Sequence, residues 1–177
     1  MTYSGSFEST PQPADMQEMP ALEEREAAPR ASVEDLIHEL VSLGSYVNQL
    51  YLQSHLIHLN VEGPLFLSIH KFLNDQYNDH IEQFDTIGEF VRSMDYLMPM
   101  CACGLADAYK NFNNVKSYET REMLTVYLKN LELGGMTAKD VGCLAKEVGA
   151  PDVENYMADL VKAMFKASWF LKATLRS

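Results

Sequence analysis

Residues 55–74 read HLIHLNVEGPLFLSIHKFLN, and this stretch decides the fold. Val61-Glu62-Gly63-Pro64 at its centre is a break, because glycine and proline interrupt a helix and Pro64 suits the first turn of a new one. Upstream, Leu36, Leu40, Leu43, Val47, Leu50 and Leu56-Ile57 recur at helical spacing and predict a helix to about Asn60. Ser32 with Asp35 reads as the capping box that starts it. Downstream, Phe66, Ile69, Phe72, Leu73, Tyr77, Ile81, Phe84, Ile87 and Val91 form a second stripe. The second helix is therefore expected from about Pro64 to Ser93.

Working outward, residues 95–117 form a long connection, with a short helix expected from Cys103 to Phe112. A third helix is expected from about Tyr118 to Val148, weakened or kinked at Gly134-Gly135. Gly149-Ala150-Pro151 stops it. A fourth then runs from about Asp152 to Leu175, with Leu160, Met164, Ala167, Phe170 and Leu171 facing inward. No strand-type alternation competes. The expected fold class is all-α: a ferritin-like four-helix bundle with a short helix in the long connection between helices 2 and 3.

Residues 1–31 read differently. Four prolines (Pro11, Pro13, Pro20, Pro29), little apolar patterning and six acids against two arginines mark an acidic tail ahead of a domain at 32–177. The whole chain has formal net charge -11. That sign repels nucleic-acid phosphates and anionic membranes, so direct DNA binding is not expected. No apolar run reaches the roughly 18 residues of a membrane span, and the first residues lack a basic stretch followed by an apolar run, so they are not expected to act as a secretory signal. Cys101, Cys103 and Cys143 are an odd number without zinc-type pairing. Free thiols in a reducing cytoplasm are the expectation. Met98 and Met100 beside Cys101 are soft donors, though core packing and loop filling account for them better.

The second helix is rich in metal-capable side chains. His70 and Asn74 are four apart and share a face, as do Asp85 and Glu89. Asp75, Asp79, His80 and Glu82 add to it, and His55 and His58 share a face at the end of helix 1. Carboxylates suit Fe(II) and Fe(III), and imidazole adds a nitrogen donor while leaving positions open for an oxidant. His70 and Asp85, however, lie about 22 Å apart along one helix axis. They cannot hold one ion within one chain, and His58 can meet His70 only if the helices fold back closely. A second, antiparallel copy about a two-fold axis could bring the acids of one chain to the imidazoles of the other.

The run His58-Leu59-Asn60-Val61-Glu62-Gly63-Pro64, followed by Phe66, His70, Phe72, Tyr77, Asp85, Ile87 and Glu89, resembles the signature of the Dps family (DNA-binding proteins from starved cells). The resemblance covers about residues 32–175, including Trp169-Phe170-Leu171. It implies a dodecameric hollow cage that oxidises Fe(II) with peroxide or oxygen at two-fold interfaces and stores the ferric product. By position, His58 and His70 would come from one subunit, Asp85 and Glu89 from its neighbour, with Asn74 an additional oxygen donor. Zinc is also compatible with those donors.

Two positions depart from the family pattern. Asn74 stands where the family usually has Asp, and Leu59 where it usually has Trp. The stretches His70–Asn74 and Ile87-Gly88-Glu89 are similar to the cyanobacterial branch, which often has His at the position of Asp85. The resemblance also implies acidic three-fold pores, with Glu132, Asp140, Glu147 and Asp152 as candidates. The alternative reading is a structural or metal-binding cage with weak or no ferroxidase activity.

Overall fold

The computed structural model describes residues 31–176, so the tail lies outside the described residues. Four long helices and one short one follow in order: α1 (Val33–Asn60), α2 (Phe66–Ser93), α3 (Ala102–Asp107), α4 (Thr120–Val148) and α5 (Pro151–Leu175). The all-α bundle expected from the periodicity is the bundle observed. Ser32 caps α1 as a reciprocal box: its Oγ accepts from Asp35 N, and its own N–H donates to Asp35 Oδ2 at 2.9 Å. Gly149 ends α4 at φ 80°, a left-handed position that costs glycine little.

The helices pack as two hairpins, α1 with α2 and α4 with α5, joined chiefly where α1 lies on α4. The two ends of the crossover show its course. At one end the Tyr96 hydroxyl donates to Glu34 Oε1 at 2.9 Å, beside the start of α1. At the other, Thr120 Oγ1 donates to Glu62 O and accepts from Glu62 N, beside the end of α1. The connection thus runs the length of the bundle, and α4 starts at the end where α2 starts.

Three α1 side chains at four-residue spacing hold this crossover. Ser45 donates to Leu105 O, Gln49 to Tyr109 O and Gln53 to Asn113 O, the last two at 2.9 Å. Asn130 of α4 joins the last rung, donating to Asn113 O and Gln53 Oε1, both at 2.8 Å. Irregular backbone laid on a bundle has no helical partner for its carbonyls, and these amides and this hydroxyl supply one.

Several local expectations change. The short helix covers Ala102–Asp107 rather than Cys103–Phe112, because Tyr109 and Asn113 carbonyls are committed to the glutamines of α1. α4 begins at Thr120, two residues late, and α5 at Pro151. Gly134-Gly135 do not break α4. A Cβ at Gly134 would lie 2.8 Å from Met164 Sδ and 2.9 Å from Tyr46 Cε1, so close helix approach explains that glycine. Leu56, Phe66, Ile81 and Phe170, expected on inward stripes, are exposed on this chain.

Two substitutions test these contacts. Gln53→Leu leaves one Asn130 proton without its acceptor and takes one of two donors from the Asn113 carbonyl, and is expected to cost about 1–3 kcal/mol in urea unfolding. Gly134→Ala overpacks the α1–α4–α5 contact at a similar cost. Unchanged unfolding midpoints for both would remove the ladder and the close approach from the account.

Candidate metal centre

The end of α1 and the start of α2 are closed by five residues, with Gly63 at φ 106°. That tight turn brings His58 and His70 face to face. Their rings stack at 3.6 Å between centroids and 21° between planes. The two residues are bonded reciprocally: His58 Nδ1 lies 2.8 Å from His70 O, and His70 Nδ1 lies 3.0 Å from His58 O. A carbonyl oxygen only accepts, so each Nδ1 carries the proton and donates. Each Nε2 is left with a free lone pair. This is the arrangement that orients metal-ligating histidines, with one nitrogen fixed to a carbonyl and the other presented.

Aromatic neighbours wall the pair. Phe66 tilts against His70 at 4.9 Å, and Tyr77 meets His58 edge-on at 5.4 Å. Tyr77 also stacks on His55 at 4.3 Å, so His55 belongs to this cluster although spacing marked it only as a neighbour of His58. Asn74 sits one turn from His70, and its Oδ1 accepts from the Tyr77 hydroxyl at 2.8 Å. One lone pair of the Asn74 oxygen is thereby engaged.

Asp85 and Glu89 are not brought to the histidines. Both are exposed on the far part of an unbroken α2, about 22 Å and 28 Å along the axis from His70. Neither takes part in a hydrogen bond or ion pair among the described residues. The bundle interior offers no substitute. Its buried polar side chains are Ser45, Gln53, Ser54, His80, Asn130 and Ser168, with no carboxylate among them. No cluster of three or more His, Cys, Asp or Glu able to hold a metal exists within the described residues. A ferritin-like bundle that holds its metal inside one chain projects glutamates and histidines inward. This chain does not.

His80 is the one α2 histidine that faces the core, where it is 1% exposed. Tyr127 of α4 donates to its Nε2, and its Nδ1–H donates to Gln83 Oε1, both at 2.8 Å. Burial holds it neutral, with its pKa pushed down to about 4, partly offset by the Gln83 bond. Asp79 next to it is raised by burial and by the charges of Glu82 and Asp75. Among the pore candidates, Glu132 is half-buried and ion-paired with Lys172 of α5. Asp140 and Glu147 are exposed on α4, and Asp152 in the first turn of α5.

The ferritin-like domain family matches residues 32–177. The chain belongs to that family. It is 25% identical over 134 residues to antigen TpF1 of Treponema pallidum, covering 72% of this chain and 73% of the relative. The solved structure of TpF1 superimposes with a TM-score of 0.77 at 21% identity, over 82% of this chain and 94% of that one. Dps from Thermosynechococcus elongatus also gives 0.77, at 20% identity over 81% and 91%. Dps from Staphylococcus aureus gives the same score at 18% identity, over 82% and 97%. The fold is thus the one the Dps resemblance implies, and the family match runs from residue 32 to residue 177.

The buried histidine yields a pH prediction. His80 binds its proton more readily unfolded, near 6.5, than folded, near 4. Its contribution to stability is therefore full above about pH 6.5 and is lost as pH falls towards 4, up to about 3 kcal/mol. Urea midpoints of His80→Gln and the native chain, compared from pH 7 to 4, are expected to converge as pH falls. A constant gap would show that His80 does not titrate this way.

Proposed function

We propose that this protein oxidises Fe(II) and stores the ferric product in a self-assembled, dodecameric cage. The supporting observation is a half-site. His58 and His70 present two oriented nitrogen donors, while Asp85 and Glu89, on the same helix as His70 but far from it, have no partner among the described residues. A ferroxidase centre is complete only when the acids of a neighbouring chain meet this pair across a two-fold axis. Carboxylates would then neutralise the cation and stabilise the ferric state, and imidazoles would leave room for the oxidant.

Iron is the substrate here. Two Fe(II) ions give up one electron each. Peroxide takes both, its O–O bond breaks, and two protons complete two waters. Oxygen can serve as the electron acceptor in its place. The same donors admit Zn(II), but nothing in the fold selects it. Asp140, Glu147 and Asp152 are exposed and make no ion pair among the described residues, which suits them better than the paired Glu132 to line an iron entry pore.

The negative charge and acidic tail argue against direct DNA binding, and three exposed free thiols fit a reducing cytoplasm. No described helix is long and apolar enough to cross a membrane. The engaged Asn74 oxygen favours one alternative, a cage that binds metal with little turnover.

A complementation experiment tests the shared site. A chain carrying His58→Ala and His70→Ala, and a second carrying Asp85→Ala and Glu89→Ala, are each expected to oxidise Fe(II) about 10- to 100-fold more slowly than the native protein. Co-assembled, they rebuild one intact centre at each mixed interface and recover part of the rate. Native rates in either variant, or no recovery in verified mixed oligomers, would sink the two-chain centre. Assembly without turnover in the native protein would instead establish the alternative.

A further inference from the structure

The end of the α2–α3 loop and the first turn of α3 together carry four sulfur side chains in six residues, Met98-Pro99-Met100-Cys101-Ala102-Cys103. Packing divides them. Met98 is half-buried and fills the space beside Gly44 and Gly88, so core filling accounts for it. Met100 is 94% exposed, the most exposed of the large apolar side chains among the described residues. Core filling cannot account for that one. Cys101 and Cys103 are exposed free thiols, although cysteine is among the residue types most often buried. Cys101 Sγ accepts the Gly104 N–H at 3.2 Å, which fixes its side chain at the start of α3 two residues from Cys103.

We propose that Met100, Cys101 and Cys103 form a soft-metal site that takes one Cu(I) per chain through two thiolates and a thioether. Sulfur donors of this kind select soft ions, and Cu(I) is content with few ligands. Structural zinc requires four protein ligands, and this loop offers two thiolates and no imidazole. Binding releases the thiol protons to solvent, and the copper stays Cu(I) throughout. The site is separate from the histidine pair. Leu105, which follows the loop, is bonded to Ser45, about 20 Å along α1 from His58.

The test uses the full, reduced chain under anaerobic conditions, with Cu(I) supplied as its acetonitrile complex and bathocuproine disulfonate as competitor. The histidine pair is silenced by His58→Ala and His70→Ala. One Cu(I) per chain is expected to resist the competitor and to show a near-ultraviolet sulfur-to-copper band. Cys101→Ser with Cys103→Ser removes both, while Met100→Leu weakens retention about tenfold. Serine is itself a good N-cap, so the double variant keeps α3, as circular dichroism checks. Cys143→Ser leaves binding unchanged. Retention that survives the double serine variant, that depends on Cys143, or that lacks the sulfur band would overturn the site.

Discussion

The fold depends on how a bundle carries an irregular connection along its own side. α1 solves this with a polar column, Ser45, Gln49 and Gln53, whose spacing of four matches the carbonyls of Leu105, Tyr109 and Asn113. Left unpaired, each of these part-buried carbonyls would cost up to about 1–3 kcal/mol, an appreciable share of a domain's net stability. The column also sets direction. With the crossover clamped along α1, α4 must start beside the α1–α2 turn, where Thr120 bonds Glu62 in both senses.

That clamp reaches the candidate site. The turn held by Thr120 is the one that folds His70 back on His58. Across it the two imidazoles use each other's backbone carbonyls, so neither ring can rotate without losing a bond. Site geometry is thus set by backbone, not by flexible neighbours. The acids that the proposed centre would use, Asp85 and Glu89, lie outside this arrangement. With no carboxylate in the core among the described residues, folding of the bundle avoids the cost of desolvating one. Under the proposed function, metal chemistry would thereby move from the interior of one chain to the surface between two.

Periodicity made the helices legible because apolar residues on one face are a direct record of burial. The approach of His58 to His70 was legible as a condition on the Gly63-Pro64 break, and the distance of Asp85 and Glu89 from them followed from helix rise along α2. The crossover column was not. Serine and glutamine at four-residue spacing look the same in sequence whether they face water or a carbonyl. His80 was equally opaque: on a helix crowded with donors it counts as one more, and only Tyr127, far along the chain, makes it a core residue. Gly134 looked like a weak point because the sequence cannot show Met164 and Tyr46 pressing on it.

The apolar residues that did not go inside carry the remaining argument. Leu56 and Leu59 flank His58 on α1 at 59% and 66% exposure, and Leu67, near His70, is 79% exposed. Grouped large apolar side chains in water mark a contact surface, since each would return about 1.5–3 kcal/mol if fully covered. Leu67 lies one turn before His70 on α2 and shares its side of the helix, whereas Leu56 is about 160° around α1 from His58 and lines a groove with Val115 and Tyr118 of the crossover. Under the proposed function, a second chain that covered Leu67 would approach the side of α2 that carries His70, so burial of apolar surface and coordination of the metal would draw on the same contact.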